Sequence, residues 1–120
     1  KREAGYNYEA ILMKLTDEER FVLLFTLQSD ITVLNAALST DEVVERKRTG
    51  VGFFSTIKVS MTTEFQKSKE RYWEQSFNHQ KLPYGGCFMS SVGNENCLEI
   101  EAIAYESEWP EPFIENEFSS

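Results

Sequence analysis

The hydrophobic period of the chain changes near residue 42. Before it, Leu23, Leu27, Ile31, Leu34 and Leu38 recur at steps of four, four, three and four, the spacing that keeps one stripe of a helix toward a core. Thr16-Asp17-Glu18-Glu19 precedes that stripe as a capping box, in which the threonine hydroxyl and the Glu19 carboxylate each reach the other's backbone amide. Ser29 and Asp30 interrupt the run and can cap a second helix. The pattern predicts helices over 17–28 and 30–39, and a weaker one over 7–14.

After residue 42 the period falls to two. Val43–Arg48 and Val51–Val59 read as strands around Thr49-Gly50, and in the second Val51, Phe53, Ser55, Ile57 and Val59 share the core face. Residues 60–84 are mixed in character, with Tyr72–Phe77 a candidate short strand. The Pro and Gly content of Leu82–Gly86 predicts a turn. Cys87–Val92 and Cys97–Tyr105, separated by Gly93-Asn94-Glu95-Asn96, read as a hairpin with Cys87 opposite Ala102. Leu98, Ile100, Ala102 and Ala104 then face the core, and Glu99, Glu101, Ile103 and Tyr105 face solvent.

Helices first and strands afterwards predict an α+β fold, with N-terminal helices packed on a four- to five-stranded antiparallel sheet. The expected core contains Leu23, Leu27, Leu34, Phe53, Ile57, Met89, Leu98 and Ile100. With 120 residues, 41% of them hydrophobic, one domain spanning 1–120 is expected. Its flexible ends are expected at about 1–6 and 115–120, with Glu111–Ser120 a tail docked only through Pro112, Phe113 and Ile114. No apolar run approaches the roughly 18 residues a membrane span needs, and Lys1–Tyr8 is too polar for a signal peptide; a soluble, cytoplasmic protein without a membrane partner is expected.

The net charge of −8 is unevenly placed. Residues 1–94 carry 12 basic and 12 acidic side chains, whereas residues 95–120 carry eight glutamates and neither Lys nor Arg. Such a block repels phosphate backbones, which disfavours nucleic acid as a ligand, and steers basic surfaces toward itself. Within it Glu99, Glu101, Glu106, Glu108 and Glu111 are the candidate partner-binding residues, Glu99 and Glu101 foremost because a rigid strand holds them.

Catalytic and cofactor patterns are not found. The one histidine, His79, falls in a loop and reads as a surface residue with no second histidine to complete a metal site. Cys87 and Cys97 lack Cys-x-x-Cys spacing, lie out of register for a disulfide and read as small apolar strand residues. No phosphate-binding glycine loop is present. Glu99 and Glu101 share a strand face about 7 Å apart, a spacing open to acid–base work, but solvent-facing carboxylates serve more often as charged contacts. The chain is therefore expected not to be an enzyme, with no catalytic residue, metal or cofactor.

The strings Arg48-Thr49-Gly50-Val51-Gly52-Phe53-Phe54-Ser55, Gly85-Gly86-Cys87-Phe88, Leu98-Glu99-Ile100-Glu101-Ala102 and Glu108-Trp109-Pro110 resemble those of a set of small bacterial proteins that carry R-x-x-T-G-x-G-F-F and E-x-W-P patterns. Arg46 is another candidate for the arginine, and Ala102 stands where that pattern has glycine. The resemblance covers roughly residues 30–110 and bears on fold more than on function. By type, the small acidic chain without catalytic groups also resembles the immunity proteins of contact-dependent growth inhibition. That resemblance implies a monomer that binds a cognate, basic, nuclease-type toxin as a heterodimer and occludes its active site. An acidic secretion or effector chaperone, or another small protein-binding domain, is the alternative.

Overall fold

The computed structural model describes residues 13–59, 71–93 and 96–120. Thr16 opens helix α1 (Asp17–Leu27) with the predicted capping box: its Oγ1 accepts from the Glu19 amide at 3.0 Å, and Glu19 Oε1 accepts from the Thr16 amide at 2.9 Å. Asp30 caps helix α2 (Ile31–Thr40) by accepting from the Val33 amide, and Asp41 ends it in the left-handed region at φ 53°. The break at Gln28–Asp30 re-aims the stripe, so α1 buries Val22, Leu23 and Leu27, and α2 buries Val33, Leu34 and the two alanines Ala36 and Ala37. Ile31, expected in the stripe, is 60% exposed because it is the first residue of the re-aimed helix. Replacing Thr16 with Ala should lower stability by about 1 kcal/mol in urea unfolding, the usual cost of a lost N-cap. An unchanged midpoint would refute the cap's contribution.

Residues 7–12 of the third predicted helix lie outside the described residues. Met13 forms a β-bridge with Val43.

The strands are β1 (Glu42–Arg48), β2 (Gly52–Lys58), β3 (Tyr72–His79), β4 (Leu82–Val92), β5 (Cys97–Ala104) and β6 (Phe118–Ser119). They form one six-stranded sheet in the order β1-β2-β5-β4-β3-β6, with every pairing antiparallel. The α+β fold with N-terminal helices is as expected, with one strand more than the predicted four to five. Among the described residues the helices cover one face only. On it Phe88 touches Phe21 and Phe25 of α1, and the buried hydroxyls of Thr26 and Ser90 meet at 2.7 Å.

Four expectations are corrected by the strand pairing. Leu82–Gly86 is not a turn: the reversal is at Gln80–Lys81, and β4 runs through the Pro and Gly residues. They form a bulge, since the register passes from His79↔Leu82 to Phe77↔Gly86, two steps on β3 against four on β4. Gly85 takes φ +65° there, and a Cβ on it would collide with the carbonyl oxygen of Phe77. Pro83 is tolerated because β5 pairs with β4 only from Gly86 onward, so no donor is missing on that side.

Second, the β4–β5 register differs by one residue from that expected, with Cys87 opposite Ile103 and Phe88 opposite Ala102. Cys97 lies opposite Lys58 on β2, and no disulfide joins the two cysteines. Third, Met89 leaves the core: its parity with Cys87 and Ser91 puts it on the uncovered face, half-buried, whereas Phe88 and Ser90 point to the helices. Fourth, His79 is a buried strand end and not a surface loop residue. Its Nδ1 accepts from the Lys81 amide at 3.0 Å, and its ring stands edge-on to Phe118. Burial holds its pKa below the ordinary value, with Lys81 adding to that and Glu117 opposing it.

The last residues do more than the expected docking through Pro112–Ile114. A 3-10 turn at Glu115–Glu117 leads Phe118 and Ser119 into pairing with the end of β3, and Phe118 packs on Phe21, Phe77 and Phe88. Val51, expected on the core face of β2, is 44% exposed because the strand begins one residue later.

The glycine and tryptophan strings singled out by the sequence meet at one corner of the sheet. A Cβ on Gly52 would collide with the backbone carbonyl of Ala102 on β5. The amide of Trp109 donates to Gly50 O at 2.9 Å, and its indole Nε1 donates to Glu18 on α1 at 2.7 Å. Arg48 lies over the Phe53 ring and pairs with Glu18 and Glu111. These contacts clamp the β1–β2 hairpin, the C-terminal segment and α1 together, which is a structural role. Among the described residues no helix is long and apolar enough to cross a membrane.

Candidate functional site

The face of the sheet turned away from the helices carries the candidate site. Strand alternation places Glu99, Glu101 and Ile103 there from β5, Thr56 and Phe54 from β2, and Cys87, Met89 and Ser91 from β4. The registers line these up in rows. One row runs Glu45, Thr56, Glu99, Ser91, Tyr72 across five strands; the next runs Lys47, Phe54, Glu101, Met89, Glu74. Among the described residues five carboxylates, Glu42, Glu45, Glu74, Glu99 and Glu101, stand on this face against Lys47 and Lys58, an acidic balance.

Glu99 and Glu101 are exposed on the inner strand β5, as expected. Neither has a hydrogen-bond or ion-pair partner among the described residues. Glu74 differs, because Oε1 accepts from Tyr72 Oη at 2.7 Å and Oε2 from Cys87 Sγ at 3.4 Å. The bond to Glu74 pushes the Tyr72 phenol up to about 12, because deprotonation would set two negative charges together. Burial first, and Glu74 second, push the Cys87 thiol up to about 11. Cys87 is therefore held as the neutral thiol and helps hold Glu74. Tyr105, bonded to that thiol, is also raised, by burial first and by Cys87 second.

Between Phe54, Tyr72 and Met89 the face dips into a depression of about 340 Å³ bordered by Ser91, Glu99 and Glu101. Its walls are aromatic and thioether surface, and its polar groups are two carboxylates and the Ser91 hydroxyl. Lys47 Nζ already lies 5.9 Å from the Phe54 ring centroid, a cation held over this face from within the chain.

The other three candidate glutamates are not part of this face. Glu106 follows β5 in the left-handed region at φ 54°, and it and Glu108 are exposed at the corner held by Trp109. Glu111 binds Arg48 at 3.0 Å on the helix side. Phe54, Tyr72, Glu74 and Met89 were missed by sequence reasoning. A signal for Phe54 exists, since it is a large aromatic in the polar phase of β2; the other three become neighbours only through the strand order.

On the covered face lies a second charged cluster. Glu19, 2% exposed, accepts from Arg46 Nε and from its terminal nitrogen, both at 2.7 Å, and from Ser55 Oγ at 2.5 Å. Burial pushes this carboxyl up, but the bonds from Arg46, Ser55 and the Thr16 amide together hold it below its ordinary value. With both oxygens engaged, this pair joins α1 to the sheet. Among the described residues no group of three His, Cys, Asp or Glu side chains could hold a metal ion.

Comparisons with protein families, with characterised proteins and with solved structures find no match to this chain.

Proposed function

We propose that the chain is an immunity-type inhibitor that neutralises a basic toxin domain by covering it with the uncovered sheet face. The observation that carries this reading is the pair Glu99 and Glu101: two exposed carboxylates on an inner strand, without partners among the described residues and set beside the exposed Tyr72 and the half-buried Phe54 and Met89. A rigid strand costs no backbone ordering on binding, and the flanking Phe54, Tyr72 and Met89 provide desolvating contact. Inhibition by occlusion requires no chemistry from the inhibitor.

The test is to co-express the chain with the product of the gene directly upstream, the usual position of a toxin gene relative to its immunity gene, and to follow growth and complex formation. We expect suppression of toxicity, a one-to-one complex in light scattering, and an association rate that falls as salt rises toward about 0.5 M. The double reversal Glu99→Lys/Glu101→Lys should weaken the complex about 10- to 100-fold, about 1.4 to 2.8 kcal/mol. It should move unfolding stability by less than about 0.5 kcal/mol, as exposed charges do. Binding insensitive to both salt and reversal would remove the acidic face from the interface. A stable homodimer holding an unfolded segment would favour the chaperone reading instead.

A further inference from the structure

We propose that the depression between Phe54, Tyr72 and Met89 is a socket for one arginine side chain of the partner, with Glu99 and Glu101 as its anionic border. The inference rests on the reading of this face as the partner-binding surface and goes beyond it by naming the group recognised. At about 340 Å³ the depression is at the lower end of the roughly 300–1,000 Å³ typical of small-molecule pockets, so it suits one long side chain better than a cofactor.

The lining distinguishes the two basic side chains. A guanidinium is planar, weakly hydrated and donates through a fork, so it can lie flat against an aromatic ring while donating edgewise to a carboxylate. Here Phe54 on β2 and Tyr72 on β3 line the depression from its two ends, and two carboxylates about 7 Å apart along β5 border it, so a guanidinium can lie against one ring while donating to a carboxylate. Met89 offers a polarisable thioether to the aliphatic stem. A lysine ammonium is compact and strongly hydrated, and it would gain its charge and a ring contact but no fork of donors and no planar stacking.

The engagement of neighbouring groups supports the same assignment. Tyr72 is not free to rotate away, because its hydroxyl is bonded to Glu74, and Glu74 is in turn bonded by Cys87. Those bonds hold one wall and engage both oxygens of Glu74, leaving Glu99 and Glu101 as the bordering carboxylates without a hydrogen-bond or ion-pair partner among the described residues. Lys47, over the Phe54 ring, shows that this ring accepts a cation. It also sets a positive charge at the rim that an incoming arginine must meet, so its removal should strengthen binding.

The experiment is a titration of the isolated protein with N-acetyl-arginine amide and, separately, with N-acetyl-lysine amide, followed by backbone amide shifts in NMR. The expected result is saturable shifts centred on Phe54, Met89, Ser91, Glu99 and Glu101, with half-saturation at about 1–10 mM, the range open to so small a ligand. The lysine compound should bind at least about threefold more weakly, since it lacks the bidentate and stacking contacts. Glu99→Gln/Glu101→Gln should abolish saturation, and Lys47→Ala should tighten arginine binding about twofold by removing a like charge. The comparison of the two compounds on the unmodified protein needs no variant to fold. Equal affinity for the two compounds, shifts centred elsewhere, or no saturation by about 50 mM, well past the expected range, would overturn the socket. If the socket failed while a basic toxin still bound in a salt-sensitive, Glu99- and Glu101-dependent way, the proposed function would stand without it. Saturable arginine binding with no toxin bound would sink the proposed function and leave the socket.

Discussion

Arg46→Ala should lower the unfolding free energy by about 3–5 kcal/mol at neutral pH, the cost of removing one member of a buried ion pair. Glu19 would remain inside the helix–sheet interface with its charge answered only by Ser55 and the Thr16 amide. The loss should also depend on pH. The folded Glu19 carboxyl is held below its ordinary value, so its contribution is present above the unfolded pKa of about 4.3 and is lost as pH falls through the folded value. Protonation removes the charge that Arg46 pairs with, so wild type and variant should converge in acid. Urea unfolding at neutral pH and at pH values below the ordinary glutamate range checks both parts. A neutral-pH difference below about 1 kcal/mol, or a difference that stays constant on acidification, would show that the pair does not stabilise the fold as argued.

Phe88→Ala should cost a similar amount, about 3–5 kcal/mol, by transfer energy and the cavity left behind. Phe88 is 1% exposed, stacks on Phe77 with centroids 4.4 Å apart, and touches Phe21, Phe25, Trp109 and Phe118. Its removal opens the junction of α1, β3, β4 and the C-terminal segment at once, so the site cannot collapse by moving one element. Domains of this size are stable by about 5–15 kcal/mol in all, so the variant should be near the limit of folding at 37 °C. Phe88→Leu keeps most of the apolar volume and should lose about 1–2 kcal/mol. The measurement is the urea midpoint at unchanged slope, followed by tryptophan fluorescence. A loss for the alanine variant no larger than for leucine would show that the cluster repacks without it.

The local elements were legible in the sequence because their causes are local. A capping threonine needs only its own next three residues, and Thr16 begins α1 as read. Alternation on β5 needs only one strand, so Glu99 and Glu101 were correctly turned to solvent while Leu98 and Ile100 were buried. Strand partners are not local. The β4–β5 hairpin was legible, but nothing near Met89 says that Cys87 lies opposite Ile103 and not Ala102, and one residue of register decides which side chains share a row. For the same reason Phe54, Tyr72 and Met89, contributed by β2, β3 and β4, could not be joined to the two glutamates before the sheet order was known. The bulge at Pro83–Gly85 reads as a turn because Pro and Gly signal any departure from a regular ladder, and only the ladder shows which kind it is. His79 is buried against the partly buried Phe118 across nearly forty residues of sequence, a contact decided by packing of the aromatic cluster and by no periodicity in either segment. The sequence by itself determined the helices, most of the strands and the outward turn of the central carboxylates, since these follow from short-range capping and alternation. The tertiary structure alone decided the strand order, the aromatic walls beside those carboxylates and the seating of the C-terminal residues, since these depend on which distant apolar surfaces are buried together.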